Sequence, residues 1–390
     1  MGNIFLFIAG AYILTLVVGQ LFEKIKVPWI FAALLIGSLL AINNPFRATT
    51  ESDVFIFMAQ LGMYLLLFTI GLEINLKSIK KKKGFILKSA FFIIFFEAIF
   101  GSLLVHFVFG YNWLVSFLVA LSFATVGEAI LIPILEKSKI INTRLGQAII
   151  GIGTLDDIIE VFTLVMVIIL VGSSIHGHVN ISLVILALLL IFMLTIGFSK
   201  FKKVGKRLAL IKEETLFLFA IFVLFLFLGI GVYAEASALA ALLAGVALKN
   251  IIPEKKLQTV KKEIKIICYG FFAPIFFLWV GTTLNINYLI KYPLLILLIV
   301  SVSCTAKLIG GYIMGRKTLG TKKSLLLGLG LSVRFSTSII IIKILFDSNL
   351  INDDLYSIVV ASSIIFTIII PIAFARLLNK WNTHSISDKS

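Results

Sequence analysis

The sequence has 390 residues, of which 60% are hydrophobic and only 14% are charged. This composition excludes an ordinary water-soluble domain, because a globular surface needs a larger share of charged residues. The net charge of +16 would suit a nucleic-acid-binding protein, but the basic residues lie in positions that argue against that class.

Repeated apolar runs of about 20 residues, long enough to cross a hydrocarbon core about 30 Å thick, predict an all-α polytopic membrane protein. We predict about thirteen transmembrane helices, each placed on such a run. Their bounds in chain order are 3–22, 27–42, 54–72, 85–109, 113–135, 145–171, 181–199, 215–231, 234–249, 264–282, 292–315, 324–346 and 355–377. The first positive charges, Lys24 and Lys26, follow the first run, which indicates an uncleaved helix rather than a signal peptide.

Lysine and arginine lie almost entirely in alternate loops. They occur in KIK, KSIKKKK, KSKIINTR, KFKKVGKR, KNIIPEKKLQTVKKEIK, RKTLGTKK and the C-terminal tail, whereas the intervening loops hold only Arg47 and Lys291. This alternation follows the positive-inside rule. It predicts a cell-membrane protein with its N-terminus outside and its C-terminus in the cytoplasm, surrounded by lipid and without a nucleic-acid partner.

Small and polar residues interrupt the fifth and twelfth predicted spans. The fifth reads WLVSFLVALSFATVGEAILIPILEK, and the twelfth reads LLLGLGLSVRFSTSIIIIKIL. Broken helices in corresponding positions of two halves are typical of a transporter's binding site. The two spans correspond if spans one to six repeat in inverted orientation as spans eight to thirteen, with 181–199 as a linker helix. Close helix packing through glycine and serine is the alternative for each span alone.

Seven ionisable residues are predicted to lie deep within spans, where a charged side chain costs about 2.5–3.5 kcal/mol. They are Glu97, Glu128, Asp156, Asp157, Glu160, Lys307 and Arg334. Glu97 and Glu128 are interpretable as neutral hydrogen-bonding groups, since burial disfavours the ionised form of a carboxyl. Arg334 is interpretable as a clamp on the C-terminal ends of half-helices.

Asp156 and Asp157 are the strongest candidates for a functional site. Adjacent helix positions diverge by about 100°, so the two carboxylates cannot face one partner. We expect Asp156 to pair with Lys307, the only lysine that the hydropathy pattern places deep in the membrane, while Asp157 faces a cavity. Glu160, one turn later, is a third ligand, a partner for Arg334 or a neutral hydrogen-bonding group, and the sequence does not choose between these.

With these features in view, the chain resembles the monovalent cation:proton antiporters, in the branch of bacterial sodium/proton antiporters and potassium-efflux systems. The similar segments run along nearly the whole chain: VPWIFAALLIGSLL, LLLFTIGLEINLKSI, ALSFATVGEAILIPILEKSKIINTRLGQAIIGIGTLDDI, ASALAALLAGVAL and FFAPIFFLWVGTTLN. The resemblance implies a single transporter domain over 1–378 and a short cytoplasmic tail over 379–390. In that domain, about 85–171 and 292–377 form a core bundle with crossed broken helices. About 3–72 and 215–282 form a panel that makes a homodimer.

The resemblance also implies a function and roles for the candidate residues. Asp156 and Asp157 would bind protons and Na⁺ or K⁺, with Thr125 of the broken helix as a further ligand and Lys307 as the charge partner. Glu128 and Arg334 would support the broken helices. Family members commonly carry Gly and Glu after the arginine, where this chain has Phe335 and Ser336. Paired aspartates favour an electrogenic cycle.

The expected activity is secondary antiport by alternating access, without a cofactor and without enzymatic chemistry. A sodium-coupled organic-solute symporter of related architecture is the main alternative. A channel is disfavoured because no carbonyl-ring filter motif occurs. An enzyme is disfavoured because the four histidines are scattered and no nucleophile motif appears. Cys268 and Cys304 are interpreted as buried inert thiols.

Overall fold

The computed structural model describes residues 3–24, 27–73, 84–174, 189–191, 193–195, 197, 213–233, 236–334 and 336–381. Within these residues the chain is helical and contains no β-strand. Seventeen helices follow in chain order, with a π-helical turn at Cys268–Phe272 between α11 and α12. They are α1 Ile4–Lys24, α2 Phe31–Ile42, α3 Arg47–Thr50, α4 Asp53–Glu73, α5 Gly84–Phe109, α6 Trp113–Ala124, α7 Glu128–Lys137, α8 Arg144–Ser174, α9 Glu213–Tyr233, α10 Ser237–Ile251, α11 Glu254–Ile267, α12 Ala273–Thr282, α13 Ile286–Lys291, α14 Pro293–Leu319, α15 Thr321–Leu331, α16 Ser336–Asp347 and α17 Asp353–Lys380.

Seven helical stretches among the described residues are long and apolar enough to cross a membrane, or eight if the bent pair α15–α16 counts as one span. Three shorter apolar helices, α2, α6 and α10, add to these. The prediction of an all-helical multi-pass membrane protein is therefore confirmed. The predicted linker helix over 181–199 falls mostly outside the described residues.

Both spans that the sequence predicts to be interrupted are broken. Residues 125–127, the first break, lie between α6 and α7, and residues 332–334, the second break, lie between α15 and α16. The backbone of Thr125 is extended, with φ −61° and ψ 157°, which ends α6. The two halves of the second broken span are bent by 44°. The polar and glycine residues in both stretches correctly predicted the positions of the breaks.

One segment differs from the sequence-based prediction. The stretch before the predicted span at 264–282 is basic and was expected to be a loop, but it is the amphipathic helix α11, which begins at Glu254. Leu257, Val260 and Ile264 are buried at a spacing of three and four residues. A hydropathy average misses such a helix, because lysines on the other face cancel the apolar stripe.

The chain divides into two compact units. The first unit comprises residues 1–15, 33–74 and 164–282, and the second comprises residues 16–32, 75–163 and 283–390. An apolar core in the second unit packs α7, α8, α15 and α17 through residues that include Leu131, Ile149, Leu327 and Phe374. The two broken spans, the unbroken helices α5 and α14, and the part of α8 up to residue 163 thus belong to one packed unit.

Glycine allows close helix packing within the first unit. A Cβ atom at Gly71 of α4 would lie 2.0 Å from the carbonyl oxygen of Leu242 in α10. Backbone cannot move aside as a side chain can, so we expect Gly71→Ala to cost about 1–3 kcal/mol of stability. Gly229→Ala is the matched control, because nothing lies within 4 Å of a Cβ there. Thermal melting in detergent measures both, and equal melting temperatures would contradict the close contact.

Candidate functional site

The two helix breaks meet in the second unit. The backbone N–H of Gly127 in the first break donates to the carbonyl oxygen of Val333 in the second, at 2.7 Å. Thr125, Ser332 and Arg334 beside this contact are buried. Unwound backbone away from water needs such partners. The hydrogen bond therefore joins the interruptions of two spans that lie far apart in the sequence.

Lys307 holds both broken spans from the middle of α14. Its side chain is fully buried, and its ammonium donates to the carbonyl oxygens of Thr125 at 3.0 Å and of Leu331 at 2.5 Å. These carbonyls end α6 and α15, where helices carry unsatisfied acceptors and a partial negative charge. One lysine thus caps the C-terminal ends of both first halves.

The third contact of Lys307 is an ion pair with Glu97 of α5. The distance from Lys307 Nζ to Glu97 Oε2 is 3.2 Å, and both side chains are fully buried. The sequence-based interpretation named Asp156 as the partner of Lys307 and Glu97 as a neutral hydrogen-bonding group. The structure adds a partner that this interpretation did not include, because the carboxylate of Glu97 is in ion-pair contact with Lys307. The pairing of Lys307 with Asp156 stays a prediction. One sign of the Glu97 contact was present in the sequence, since Glu97 and Lys307 each lie near the middle of a long apolar helix.

Arg334, in the second break, contacts the other side of the same carboxylate. Its Nη2 lies 3.4 Å from Glu97 Oε1 and donates to the hydroxyl oxygen of Ser303 at 2.5 Å, while the Ser303 hydroxyl donates to Glu97. The guanidinium lies 3.9 Å from the ring centroid of Phe366 and 5.1 Å from that of Phe123. The sequence-based interpretation makes Arg334 a clamp on the C-terminal ends of half-helices. In the structure its guanidinium pairs with Glu97 instead. We call Glu97, Lys307 and Arg334 the buried charge cluster.

Asp156 lies at the first break. It is 1% exposed on α8, and its Oδ2 accepts a hydrogen bond of 2.5 Å from the backbone N–H of Val126. Because α7 begins two residues later, at Glu128, this carboxylate lies where a helix N-terminus favours negative charge. The first break thus has a cation at the end of α6 and an anion at the start of α7.

The remaining predicted ligands are placed only in part. Thr125 is buried; its carbonyl accepts from Lys307, and its hydroxyl donates to the carbonyl of Ser122 at 3.2 Å. Asp157 and Glu160 belong to α8 and Glu128 begins α7, but their side chains lie outside the described part of the structure. Their roles stay predictions from the sequence.

A second lysine is buried in the second unit, which the sequence analysis missed. Lys343 of α16 is 1% exposed, and its Nζ lies 2.5 Å from Oδ1 of Asp347, whose side chain is 38% exposed. The same Nζ lies over the rings of Phe346 and Tyr356. Lys307 is therefore not the only buried lysine of the spans.

The stacking of Arg334 on Phe366 predicts an effect of a charge-conserving substitution. Lysine lacks the planar guanidinium, so Arg334→Lys should lose the ring contact and one of two hydrogen bonds, at a cost of about 1–3 kcal/mol. Arg316→Lys is the matched control, because Arg316 is exposed and lies 5.5 Å from the Tyr312 ring. Melting temperatures of the two variants test this, and an unchanged value for Arg334→Lys would contradict it.

The first break has the chemistry of a cation site. A carboxylate and unwound backbone carbonyls are hard oxygen ligands, which suit Na⁺ and K⁺ as they suit other hard cations. Asp156 and the carbonyls of residues 125–127 would supply these ligands, and neighbouring helix ends would contribute partial charges. No covalent chemistry is needed for this arrangement to bind and release an ion.

Known proteins match the chain along nearly its whole length. A family described as sodium/hydrogen exchanger, transmembrane, matches residues 11–380. The Na⁺/H⁺ antiporter of Enterococcus hirae is 27% identical over 367 residues, which are 92% of this chain and 94% of that protein. The probable Na⁺/H⁺ antiporter 3 of Methanocaldococcus jannaschii is 27% identical over 370 residues, 93% of either chain. The solved structure of the sodium proton antiporter MjNhaP1 from the same organism superposes with a TM-score of 0.60 at 16% identity, covering 97% of this chain and 96% of that one.

Proposed function

The chain belongs to the sodium/hydrogen exchanger family, and on this premise we propose that it exchanges protons for a monovalent cation across the cell membrane. The transported cation is Na⁺, K⁺ or both. The observation that carries the proposal is the meeting of two broken spans, with Asp156 at the first break and Lys307 bound to the ends of both. The sodium-coupled organic-solute symporter has no support among the matched proteins.

Competition between ions for one site accounts for the exchange. Asp156 and Asp157 are the proposed ion-binding acids, with Thr125 as a further ligand and Glu160 nearby on α8. A carboxylate there binds a proton on the acidic side and releases it to solution on the other side, where an alkali cation takes its place. If the protein switches between its outward-open and inward-open states only when the site is occupied, the proton flux and the cation flux are coupled. During this change Lys307 holds the ends of both broken helices and Arg334 anchors the second break to Glu97. Glu128 is the proposed support at the start of α7.

The same proposal includes an architecture. It consists of about thirteen spans in two inverted repeats within 1–378, a linker helix at 181–199, and a panel that forms a homodimer. The long and short apolar helices of the described residues support the span count, and the division into two compact units is compatible with a core and a panel. The alternation of basic loops supports an external N-terminus and a cytoplasmic C-terminus.

Reconstitution tests the proposed function. The purified protein in liposomes, with a pH-sensitive dye and an imposed proton gradient, should release protons when Na⁺, Li⁺ or K⁺ is added but not when choline is added. Liposomes without protein are the control for leak. Cation flux that ignores the proton gradient but follows an organic solute would favour the symporter, and no proton movement with any alkali cation would refute the proposal.

A further inference from the structure

The buried charge cluster is unbalanced in a way that bears on cation binding. Lys307 and Arg334 are both fully buried, and Glu97 is the carboxylate between them, at 3.2 and 3.4 Å. Lys307 also contacts the carbonyl of Thr125, in the break where the cation is proposed to bind. Two positive charges this close would repel a cation strongly, because Coulomb energies are large where water is excluded.

We propose that Glu97 sets the affinity of the site for the transported cation, acting through Lys307 and Arg334 as a positioning residue. Its carboxylate offsets enough of their positive charge for a monovalent cation to bind at the first break. This inference rests on the proposed function and adds a residue to it. Glu97 lies outside the short sequence segments quoted above for the resemblance, although within the residues that the family matches.

The geometry of the carboxylate suits this role. Oε2 faces Lys307, whereas Oε1 faces Arg334 and accepts the hydroxyl of Ser303. Each carboxylate oxygen of Glu97 therefore faces one positively charged side chain. Glu97 lies on α5, which is a continuous helix. Its negative charge therefore comes from a helix outside both broken spans. Those spans carry no acid at the positions after Arg334, where Phe335 and Ser336 stand.

A neutral replacement separates charge from shape. Glu97→Gln keeps the size of the side chain and one acceptor oxygen but leaves two buried positive charges without a carboxylate between them. We expect the apparent KM for the transported cation to rise about tenfold or more, with a smaller change in maximal rate. Glu97→Asp keeps the charge and should restore most of the affinity.

Two further variants distinguish an electrostatic role from a structural one. Ser303→Ala removes a hydrogen-bond partner of both Glu97 and Arg334 without changing any charge, so its KM should stay within about twofold of wild type. Glu97→Gln combined with Arg334→Gln removes one charge of each sign. The KM of this double variant should return towards the wild-type value, which a merely structural role of Glu97 does not predict.

Proteoliposome exchange over a range of cation concentrations gives the apparent KM of wild type, the three single variants and the double variant. A wild-type KM in Glu97→Gln, an equal rise in Ser303→Ala, or a double variant no better than Glu97→Gln would overturn the inference. If Glu97→Gln fails to fold, the double variant decides, since a raised KM there overturns the inference and a wild-type KM supports it. Failure of the proposed function appears separately, as wild-type protein that moves no protons when an alkali cation is added.

Discussion

Asp157→Asn is expected to abolish cation-driven proton movement while the protein still folds. Asparagine has nearly the size of aspartate, but its amide neither binds a proton near neutral pH nor balances the charge of a bound cation. Flux in proteoliposomes should therefore fall to the level of empty liposomes. The melting temperature and the elution profile in detergent should stay close to those of wild type, which separates loss of function from loss of fold.

Asp53→Asn is the matched control for this experiment. It makes the same substitution at an exposed aspartate, at the start of α4, where no bound ion is proposed. We expect its exchange rate to equal that of wild type. Exchange at the wild-type rate in Asp157→Asn would contradict the assignment of Asp157 and would direct attention to Asp156 or Glu160.

Lys307→Met is expected to produce the largest loss of stability. Methionine fills much of the same space but donates no hydrogen bond, so the carbonyls of Thr125 and Leu331 lose their donor and Glu97 loses an ion-pair partner. Buried acceptors without a donor and a broken ion pair together cost about 3–5 kcal/mol. Thermal melting in detergent should show the loss. Lys343→Met is the matched control and should lose less, because its partner Asp347 is partly exposed to solvent.

A double-mutant cycle identifies the partner of Lys307. Glu97→Gln and Lys307→Met each remove the same ion pair, so the double variant should be less destabilised than the sum of the two single variants. Strict additivity would contradict the pairing seen in the structure. A larger coupling in the parallel cycle of Lys307→Met with Asp156→Asn would instead favour the pairing expected from the sequence.

The membrane class, the long apolar helices of the described residues and the positions of both breaks were predictable from the sequence. Each depends on local composition: an apolar run of sufficient length enters the membrane, and clustered glycine and polar residues unwind a helix within it. Asp156, Lys307 and Arg334 were recognisable as candidate site residues for a similar reason. A charge within an apolar run is costly wherever the run packs, so its presence alone is informative.

The sequence by itself thus determined which residues are charged at membrane depth, but only the tertiary structure decided how those charges pair. Glu97 and Lys307 lie on different helices, α5 and α14, and their contact depends on which helices pack together and at what depth each side chain lies. The burial of Lys343 beneath aromatic rings and the buried stripe of α11 were decided in the same way. The physical reason is that the cost of a buried charge is a property of the residue in its own helix, whereas its compensation comes from neighbours that spacing along the chain does not specify.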